Sequence, residues 1–406
     1  MRSFGLVGIV LGVGSWASLA IGQDRGQDQR LAPEDFAILA WGGAPADKAV
    51  LADIRDCGFN LAGFVAVDGL DAVAEAGLKC FVSDPSVHVS DSVADLPDKE
   101  VLDRVQVLTA RVNNHPAAFG YYLRDEPSAR MWPALARQVM AIRASAPQAK
   151  SYINLFPNYA SAAQLGTDTY EEHVESFITK VRPPFVSYDH YALMDDGTLR
   201  DGYFQNLETI RAAALRHKLP FWNIVLSNAH FSYAEPSPGG LRFQMYTTLA
   251  YGGRGISYFT YFTSATGNYR LGPINQFGDK TATWYMLREV NLQIHRLGPT
   301  YLKLKSVNVF HHPDVPTGCS GLDTSRFIKK ISGGQFVVGE FEGPESVPYV
   351  MIVNKDLHRS IAFQVAFKMP GAILQTNSYT GRTHPWAGEN IWLAPGQGML
   401  LSVKKE

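Results

Sequence analysis

The 406-residue sequence predicts an α/β fold, a (β/α)8 TIM barrel followed by a small C-terminal antiparallel β-sandwich. Eight short apolar segments lie between residues 36 and 262, and segments with the apolar spacing of amphipathic helices alternate with them. Strands of this kind are typical of a parallel sheet covered by helices. Eight such units over about 250 residues fit a closed barrel better than an open sheet. Beyond Lys305 the helical spacing disappears, which indicates a separate β domain.

The predicted strands are runs of apolar and aromatic residues bounded by turns. In chain order they are residues 36–41, 59–66, 79–84, 118–123, 151–156, 185–192, 221–227 and 255–262. Helical spacing is found at residues 47–56, 99–114, 133–145, 170–181, 204–217, 241–252 and 281–298. No Gly-x-Gly-x-x-Gly turn follows the first strand, so a dinucleotide-binding fold has no support.

The first 22 residues have the pattern of a secretory signal peptide. A basic start at Arg2 precedes an apolar stretch from Phe4 to Ala20, and the small residues at 20–22 suit signal peptidase. We expect cleavage after Gly22 and a secreted or periplasmic protein; an uncleaved anchor is the alternative. No later segment has the roughly 20 unbroken apolar residues of a membrane helix.

Residues 23–35 are then an N-terminal extension, residues 36–304 the catalytic barrel, and residues 305–406 the β-sandwich. The last region contains short apolar runs separated by Gly, Pro and Asn turns, which is typical of antiparallel sheets.

Charge and cysteine content limit the partners that we expect. The 37 basic and 38 acidic residues nearly cancel and form no long run, so we expect no nucleic acid and no anionic membrane as partner. Three cysteines match no zinc pattern and no disulfide framework. Cys57 and Cys80 stand at or just before the same end of two successive predicted strands, so a bridge between them is conceivable in an oxidising compartment.

The active site of a (β/α)8 barrel lies on the loops at the carboxyl ends of its strands. The predicted strand ends carry carboxylates, amides and aromatic rings. The sequence has no His-x-His, His-Glu-x-x-His or Gly-x-Ser-x-Gly motif, and no predicted strand ends in lysine. We therefore predict no metal and no organic cofactor. Rings stack on the apolar faces of sugars, and amides and acids bind hydroxyls, so the expected partner is a carbohydrate.

Glu126 is the best candidate for a catalytic acid. Predicted strand four stops beside it, and Pro127 fixes the direction of the chain just after it. Tyr121 and Tyr122 precede it and provide a partly apolar setting that disfavours a charged carboxylate. A protonated carboxyl at this place suits glycoside hydrolysis, which needs one carboxyl acid and a second carboxylate as base or nucleophile.

A purely structural interpretation of the same residues is also open. Asp125 or Ser128 can cap the helix predicted at residues 133–145, which would leave Glu126 as a solvated neighbour.

The stretch "HPAAFGYYLRDEPS" resembles the fourth-strand motif of clan A (β/α)8 glycoside hydrolases, in which Asn-Glu-Pro ends the strand. The stretches "YFQNLETIRAAALRHKLPFW" and "LRFQMYTTLAYGGRGISYFTYFT" are similar to bacterial β-galactosidase-like proteins. The resemblance covers about residues 36 to 310. It implies that Glu126 is the acid/base. It also implies that Asp125, which replaces the clan's Asn, binds the sugar hydroxyl next to the reacting carbon.

The chain departs from that clan at the second carboxylate. The clan's nucleophile is a Glu at the end of strand seven, and "WNIVLSNAH" has none. Glu235, in the following loop, and Asp189, at the end of strand six, are the two candidates. The alternatives are an exposed loop acid for Glu235 and a buried hydrogen-bonding anchor for Asp189. A carboxyl separation of about 5 Å predicts retention of configuration, and about 6.5–9.5 Å predicts inversion.

Further substrate ligands are predicted around the rim, and core packing is the alternative for most of them. Trp41 is a candidate sugar platform, and Arg124 is expected to orient Glu126 or Asp125 rather than touch substrate. The other candidate ligands are Asn154, His190, Tyr191, Trp222, Asn223, His230 and Tyr261.

Together these observations predict a secreted glycoside hydrolase that acts on a poly- or oligosaccharide, with Glu126 as proton donor. The first alternative is a non-catalytic carbohydrate-binding barrel, which the missing strand-seven Glu favours. The second is a polysaccharide lyase, in which a Tyr or His abstracts a proton next to a uronate; the lack of a basic rim argues against it.

Overall fold

The computed structural model describes residues 31–32, 35–90, 95–386 and 392–404, so the predicted signal peptide lies outside the described residues. Eight parallel strands form a closed barrel in chain order, which confirms the predicted fold. The barrel strands are β1 (Ala37–Ala40), β2 (Leu61–Val65), β3 (Lys79–Val82), β4 (Ala118–Asp125), β5 (Lys150–Leu155), β6 (Val186–Asp189), β7 (Phe221–Leu226) and β8 (Gly255–Phe259).

Helices cover the outside of the barrel. The described part of the chain contains α1 (Lys48–Asp56), α2 (Leu70–Glu75), α3 (Asp98–Val112), α4 (Trp132–Ser145), α5 (Ala162–Leu165), α6 (Tyr170–Val181), α7 (Tyr203–His217), α8 (Pro238–Ala250) and α9 (Ala282–Tyr301). Side-chain caps set several of the helix starts: Asp47 accepts from two backbone N–H groups of α1, and Thr169 accepts from one of α6. None of the described helices is long and apolar enough to cross a membrane.

Aromatic rings fill the lower half of the barrel. Phe185 and Trp222 are 4.6 Å apart between ring centroids, and Phe81 lies 6.1 Å from the same indole. Tyr152 covers this layer, and its hydroxyl is hydrogen-bonded to Ser187 at 3.0 Å. Because the lower barrel is packed with rings, a polar site has room only above Tyr152, at the carboxyl ends of the strands.

The C-terminal region is built from antiparallel sheets, as predicted. Its strands are β9 (Lys305–His312), β10 (Ile328–Ser332), β11 (Phe336–Glu342), β12 (Pro348–Asn354), β13 (Ile361–Ala362), β14 (Gln364–Phe367), β15 (Ala372–Thr376), β16 (Thr383–Pro385), β17 (Trp392–Leu393) and β18 (Gly398–Lys404). The main sheet has the order β16-β15-β18-β12-β11-β9, and β10-β14 and β13-β17 form two small sheets.

This domain packs closely on α8 of the barrel. A Cβ atom at Gly339 would lie only 2.0 Å from the Ala250 carbonyl oxygen, so β11 can approach the helix only without a side chain there. The contact places the β domain beside α8, on the outside of the barrel.

Cys57 and Cys80 are both buried free thiols, so the conceivable bridge between them is not formed. The Cys57 thiol instead points to α9, where its sulfur lies 3.5 Å from the Trp284 carbonyl oxygen. Burial raises the pKa of Cys80 to about 12, which leaves it a protonated, unreactive thiol.

Candidate active site

Three carboxyl groups and one amide meet at the carboxyl ends of β4, β5 and β6. The Asn154 Nδ2 group donates to Asp125 Oδ1 at 3.0 Å and to Asp189 Oδ1 at 2.8 Å. Ser187 Oγ donates to Asn154 Oδ1 at 3.0 Å, which fixes which end of the amide faces the acids. A single buried amide therefore bridges two carboxyls from different strands.

Strand alternation explains why these side chains converge. Tyr152 and Asn154 are two residues apart on β5, and Ser187 and Asp189 are two apart on β6, so each pair points into the barrel. Asn154 and Ser187 are paired across the two strands. The polar layer therefore stands directly above the aromatic one.

Glu126 joins this group through an unusual backbone turn. Its N–H still donates to the Asn154 carbonyl oxygen at 2.8 Å, as if β4 continued, but its φ is 42°. A left-handed conformation costs a non-glycine residue about 1–3 kcal/mol and is concentrated at functional sites. Glu126 is hydrogen-bonded to Asp189, so the turn keeps its carboxyl over the barrel mouth.

Neither acid of the Asp125-Glu126 pair caps a helix. The short 3₁₀ turn at residues 129–131 begins after Ser128 without a side-chain cap, and α4 begins after Met131, also without one. The structural alternative of a helix cap is therefore not what these residues form.

The environment of Glu126 and Asp189 favours their protonated forms. Burial raises the pKa of Glu126 to about 7, the neighbouring Asp125 charge adds to this, and the hydrogen bond with Asp189 partly offsets it. Burial also raises the pKa of Asp189 well above its usual range, and the charges of Glu126 and Asp125 add to the effect. Two carboxyls in such contact titrate as a pair, so the pair holds at least one proton at neutral pH.

Asp125 lies at the edge of the same group. The residue keeps an exposed surface, yet burial of its carboxyl among the mouth residues raises its pKa, against the hydrogen bond from Asn154. Arg124 Nη1 donates to the Val89 carbonyl oxygen at 2.8 Å, and the Arg124 charge lowers the pKa of Asp125. Asp125 is therefore the most exposed of the three acidic residues as a whole, although its carboxyl faces the mouth residues.

Glu235 is held in a different place. Its Oε1 lies 3.0 Å from Arg270 Nε, and its side chain is 57% exposed. This ion pair joins the loop after β7 to the loop after β8. Of the two candidates for a second carboxyl, Asp189 is the one that the structure brings to Glu126.

Three of the predicted aromatic ligands line the mouth or its wall. Trp41 is buried and packs edge-on against Phe64 at 4.9 Å. Tyr191 and His230 lie 5.9 Å apart between ring centroids, on the β6 and β7 side of the mouth. Burial and the Asp189 charge raise the pKa of Tyr191 well above its usual range, which places this ring beside the acids.

Three other predicted ligands lie away from the mouth. Trp222 is the second residue of β7 and belongs to the aromatic layer at the bottom of the barrel. Asn223 faces α8, where its Nδ2 donates to Thr248 Oγ1 at 2.9 Å. Tyr261 accepts from Trp284 Nε1 at 3.0 Å, on the α9 side. In these positions Trp222 packs inside the barrel, and Asn223 and Tyr261 join the barrel to its outer helices by hydrogen bonds.

His190 is buried behind the acids. Its Nδ1 is 3.0 Å from Asn206 Oδ1 on α7, and its ring lies 5.0 Å from the Tyr159 ring, edge to face. Burial lowers its pKa to about 4, so the imidazole is neutral above that pH. A neutral histidine here supports the wall next to Asp189.

A cluster of three loop residues at the mouth was not predicted. The Arg200 guanidinium carbon lies 4.4 Å from the Tyr159 ring centroid and 5.3 Å from that of Tyr233. Arg200 Nη2 also donates to the Tyr233 hydroxyl at 3.2 Å. Burial and then the Asp189 charge raise the pKa of Tyr159, so this cluster adjoins the acids. All three residues lie on loops. The only feature of the sequence that could have indicated them is that each follows the end of a predicted strand.

The comparisons with known proteins concern the fold. No protein-family model matches the sequence. No curated protein matches it either. A solved glycoside hydrolase matches with a TM-score of 0.58 at 12% identity, over 91% of this chain and 93% of that one. A family 5 glycoside hydrolase from Bacteroides vulgatus gives 0.58 at 11% identity, over 91% and 90%.

The β-galactosidase of the psychrophilic Marinomonas ef1 matches with a TM-score of 0.50 at 11% identity, over 67% of this chain. The match spans 62% of that β-galactosidase, less than two thirds of its length. At this identity the likenesses show the fold alone. The predicted resemblance to (β/α)8 glycoside hydrolases is confirmed at that level.

Proposed function

We propose that this protein is a glycoside hydrolase that cleaves a poly- or oligosaccharide, with Glu126 as the proton donor. The observation that carries the proposal is the hydrogen-bonded Glu126 and Asp189 pair at the mouth of the barrel, in which burial raises the pKa of Glu126 to about 7. A carboxyl that stays protonated near neutral pH is what a general acid for a leaving glycosidic oxygen requires.

The contacts support different roles for the two acids. Glu126 stands on a turn and is only partly buried, so its side chain can move toward a glycosidic oxygen. Asp189 is buried and held by Asn154, which suits a group that stays in place as nucleophile or base. Asp125 is the most exposed of the three residues and accepts from the same amide, which suits a group that binds a sugar hydroxyl.

The pair must separate before such a reaction. Directly hydrogen-bonded carboxyls are closer than the roughly 5 Å between acid and nucleophile in retaining enzymes, and leave no room for the water of inverting ones. We infer that the sugar displaces Glu126 and breaks the hydrogen bond. The reaction also needs Asp189 in its ionised form, which its burial opposes and the hydrogen bond from Asn154 favours.

A non-catalytic carbohydrate-binding protein is the second candidate. It is favoured by the described end of β7, where residues 227–230 contain no carboxylate, and by the contact between Glu126 and Asp189. Calorimetry with oligosaccharides that shows binding, together with no release of reducing ends over long incubation, would establish this candidate instead.

The proposal is tested by screening aryl glycosides and polysaccharides with the wild type, Glu126→Gln and the control Glu235→Gln. We expect the wild type to release product from at least one substrate, and Glu126→Gln to lose about 10²–10⁴-fold in kcat on it. Glu235→Gln removes an exposed acid and should stay within a few-fold of the wild type. Wild-type turnover in a folded Glu126→Gln variant would reject the proposal.

A further inference from the structure

Two aromatic rings extend from the mouth onto the loops after β7 and β8. Phe231 is 69% exposed, although a phenyl ring normally packs against other apolar groups. Tyr269 is half-buried and lies parallel to the His230 imidazole, with 4.7 Å between ring centroids and 2° between the planes. His230 also contacts Phe231, at 5.0 Å between centroids.

The exposed ring is held rigidly. Phe231 has a φ of 47°, a region that a bulky residue rarely adopts. Its N–H donates to Asn268 Oδ1 at 2.7 Å, and Asn268 Nδ2 donates back to its carbonyl oxygen at 3.1 Å. Ala229 and Arg270 exchange two backbone hydrogen bonds of 2.9 Å just beside it. The loop therefore presents Phe231 to solvent in one strained and well-fixed conformation.

The rings form a continuous row that begins at the acids. Tyr191, two residues after Asp189, lies 5.9 Å from His230 between centroids, and His230 contacts both Phe231 and Tyr269. Tyr191 also stacks on Phe259, the last residue of β8, at 5.5 Å between centroids, so the row starts at the barrel mouth, where the acids lie.

Polar groups flank the outer end of the row. The Asn268 amide and the Glu235 and Arg270 ion pair are exposed next to Phe231 and Tyr269. Apolar ring faces next to exposed amide and charged groups match the surface of a sugar, which has an apolar face of C–H groups and a periphery of hydroxyls. Beyond its two bonds to Phe231, the Asn268 amide keeps one N–H and one oxygen lone pair, which a sugar hydroxyl can use and an apolar protein surface cannot.

We propose that Phe231 and Tyr269 form a binding subsite for a sugar unit of the substrate that is not at the bond being cleaved. This inference rests on the proposed function and adds a substrate class to it: a saccharide chain long enough to reach from Asp189 across His230 to Phe231. Shorter substrates occupy the acids without touching this subsite.

The test compares Phe231→Ala with a matched control, Phe277→Ala, an 80% exposed ring on the loop after β8 that has no ring contact with the row among the described residues. For a sugar that the wild type cleaves, kcat/KM is measured on a long oligosaccharide and on the aryl monoglycoside. We expect Phe231→Ala to lose about tenfold on the oligosaccharide, as for one aromatic contact, and to stay within twofold on the monoglycoside. Phe277→Ala should match the wild type on both.

An equal loss on the two substrates, or no loss on either, would overturn the subsite. A sedimentation shift in Phe231→Ala alone would assign the ring to an interface between copies, which also overturns it. If the wild type cleaves nothing, the proposed function fails, and calorimetry then tests the subsite separately. Weaker oligosaccharide binding by Phe231→Ala than by Phe277→Ala supports it, and equal binding or no binding rejects it.

Discussion

Replacing Glu126 by Gln should stabilise the protein at neutral and alkaline pH, and this can be measured without any substrate. The pKa of Glu126 is raised by burial and by the Asp125 charge from 4.5 to about 7. Such a rise corresponds to roughly 3 kcal/mol of unfavourable ionisation in the folded state. Because the side chain is partly exposed and titrates together with Asp189, we expect about 1–3 kcal/mol to appear in experiment.

The direction of the effect follows from the raised pKa. Below the unfolded-state pKa, Glu126 is protonated in both states and the folded state bears no ionisation cost. As the pH rises from about 4.5 to about 7, the unfolded state gains free energy by ionising Glu126 and the folded state does not, so wild-type stability falls and then levels off. Gln cannot ionise, so the advantage of Glu126→Gln over the wild type should grow from pH 4.5 to pH 8.

The assay is thermal unfolding by circular dichroism at pH 4.5, 6 and 8, with Glu235→Gln as control. One kcal/mol corresponds to about 2–4 °C in a domain of this size class, so the gap between Glu126→Gln and the wild type should widen by several degrees. The control removes an exposed ion pair worth at most about 1 kcal/mol and should stay close to the wild type. A gap that is constant with pH, or that narrows as the pH rises, would refute the assigned environment of Glu126.

Three further predictions concern the acid group and the N-terminus. Asn154→Leu should lose about 2–4 kcal/mol of stability in denaturant unfolding, since it removes two buried hydrogen bonds, one to Asp189 and one from Ser187; unchanged stability would contradict the bridging role. In a pH–rate profile, kcat/KM should fall as the pH rises through about 7, where Glu126 loses its proton; a rate that climbs above pH 7 would argue against a general acid. When the full chain is expressed in a bacterium with a signal peptidase, N-terminal sequencing should find Gln23 first, and an intact Met1 would contradict signal cleavage.

The barrel and its acid group could be predicted from the sequence because both depend on the pattern of the strands. Apolar runs alternating with helices predicted eight strands, and the ends of those strands then pointed to Glu126, Asn154 and Asp189. Asp189 ends a strand, so the closed barrel fixes its position. Glu235 lies in a long loop beyond β7, and its pairing with Arg270 depends on a loop conformation that no local pattern encodes.

Trp222 and Asn223 were predicted as substrate ligands but lie away from the mouth, and their positions along β7 explain the error. Trp222 lies near the amino end of β7, so the rule that places the site at carboxyl ends would have excluded it. Asn223 is its neighbour, and alternation along the strand turns it toward α8. Tyr159 and Arg200 went unpredicted for the opposite reason, since their contact across two loops has no periodic signature.

The measurement that tests the central claim most directly is the leaving-group dependence of Glu126→Gln. For a sugar that the wild type cleaves, kcat is compared on the phenyl glycoside, whose leaving oxygen needs a proton, and on the dinitrophenyl glycoside, whose leaving oxygen does not. If Glu126 is the proton donor, the variant loses about 10²–10⁴-fold on the phenyl glycoside and far less on the dinitrophenyl glycoside. Wild-type turnover of the phenyl glycoside by a folded Glu126→Gln variant would contradict the account.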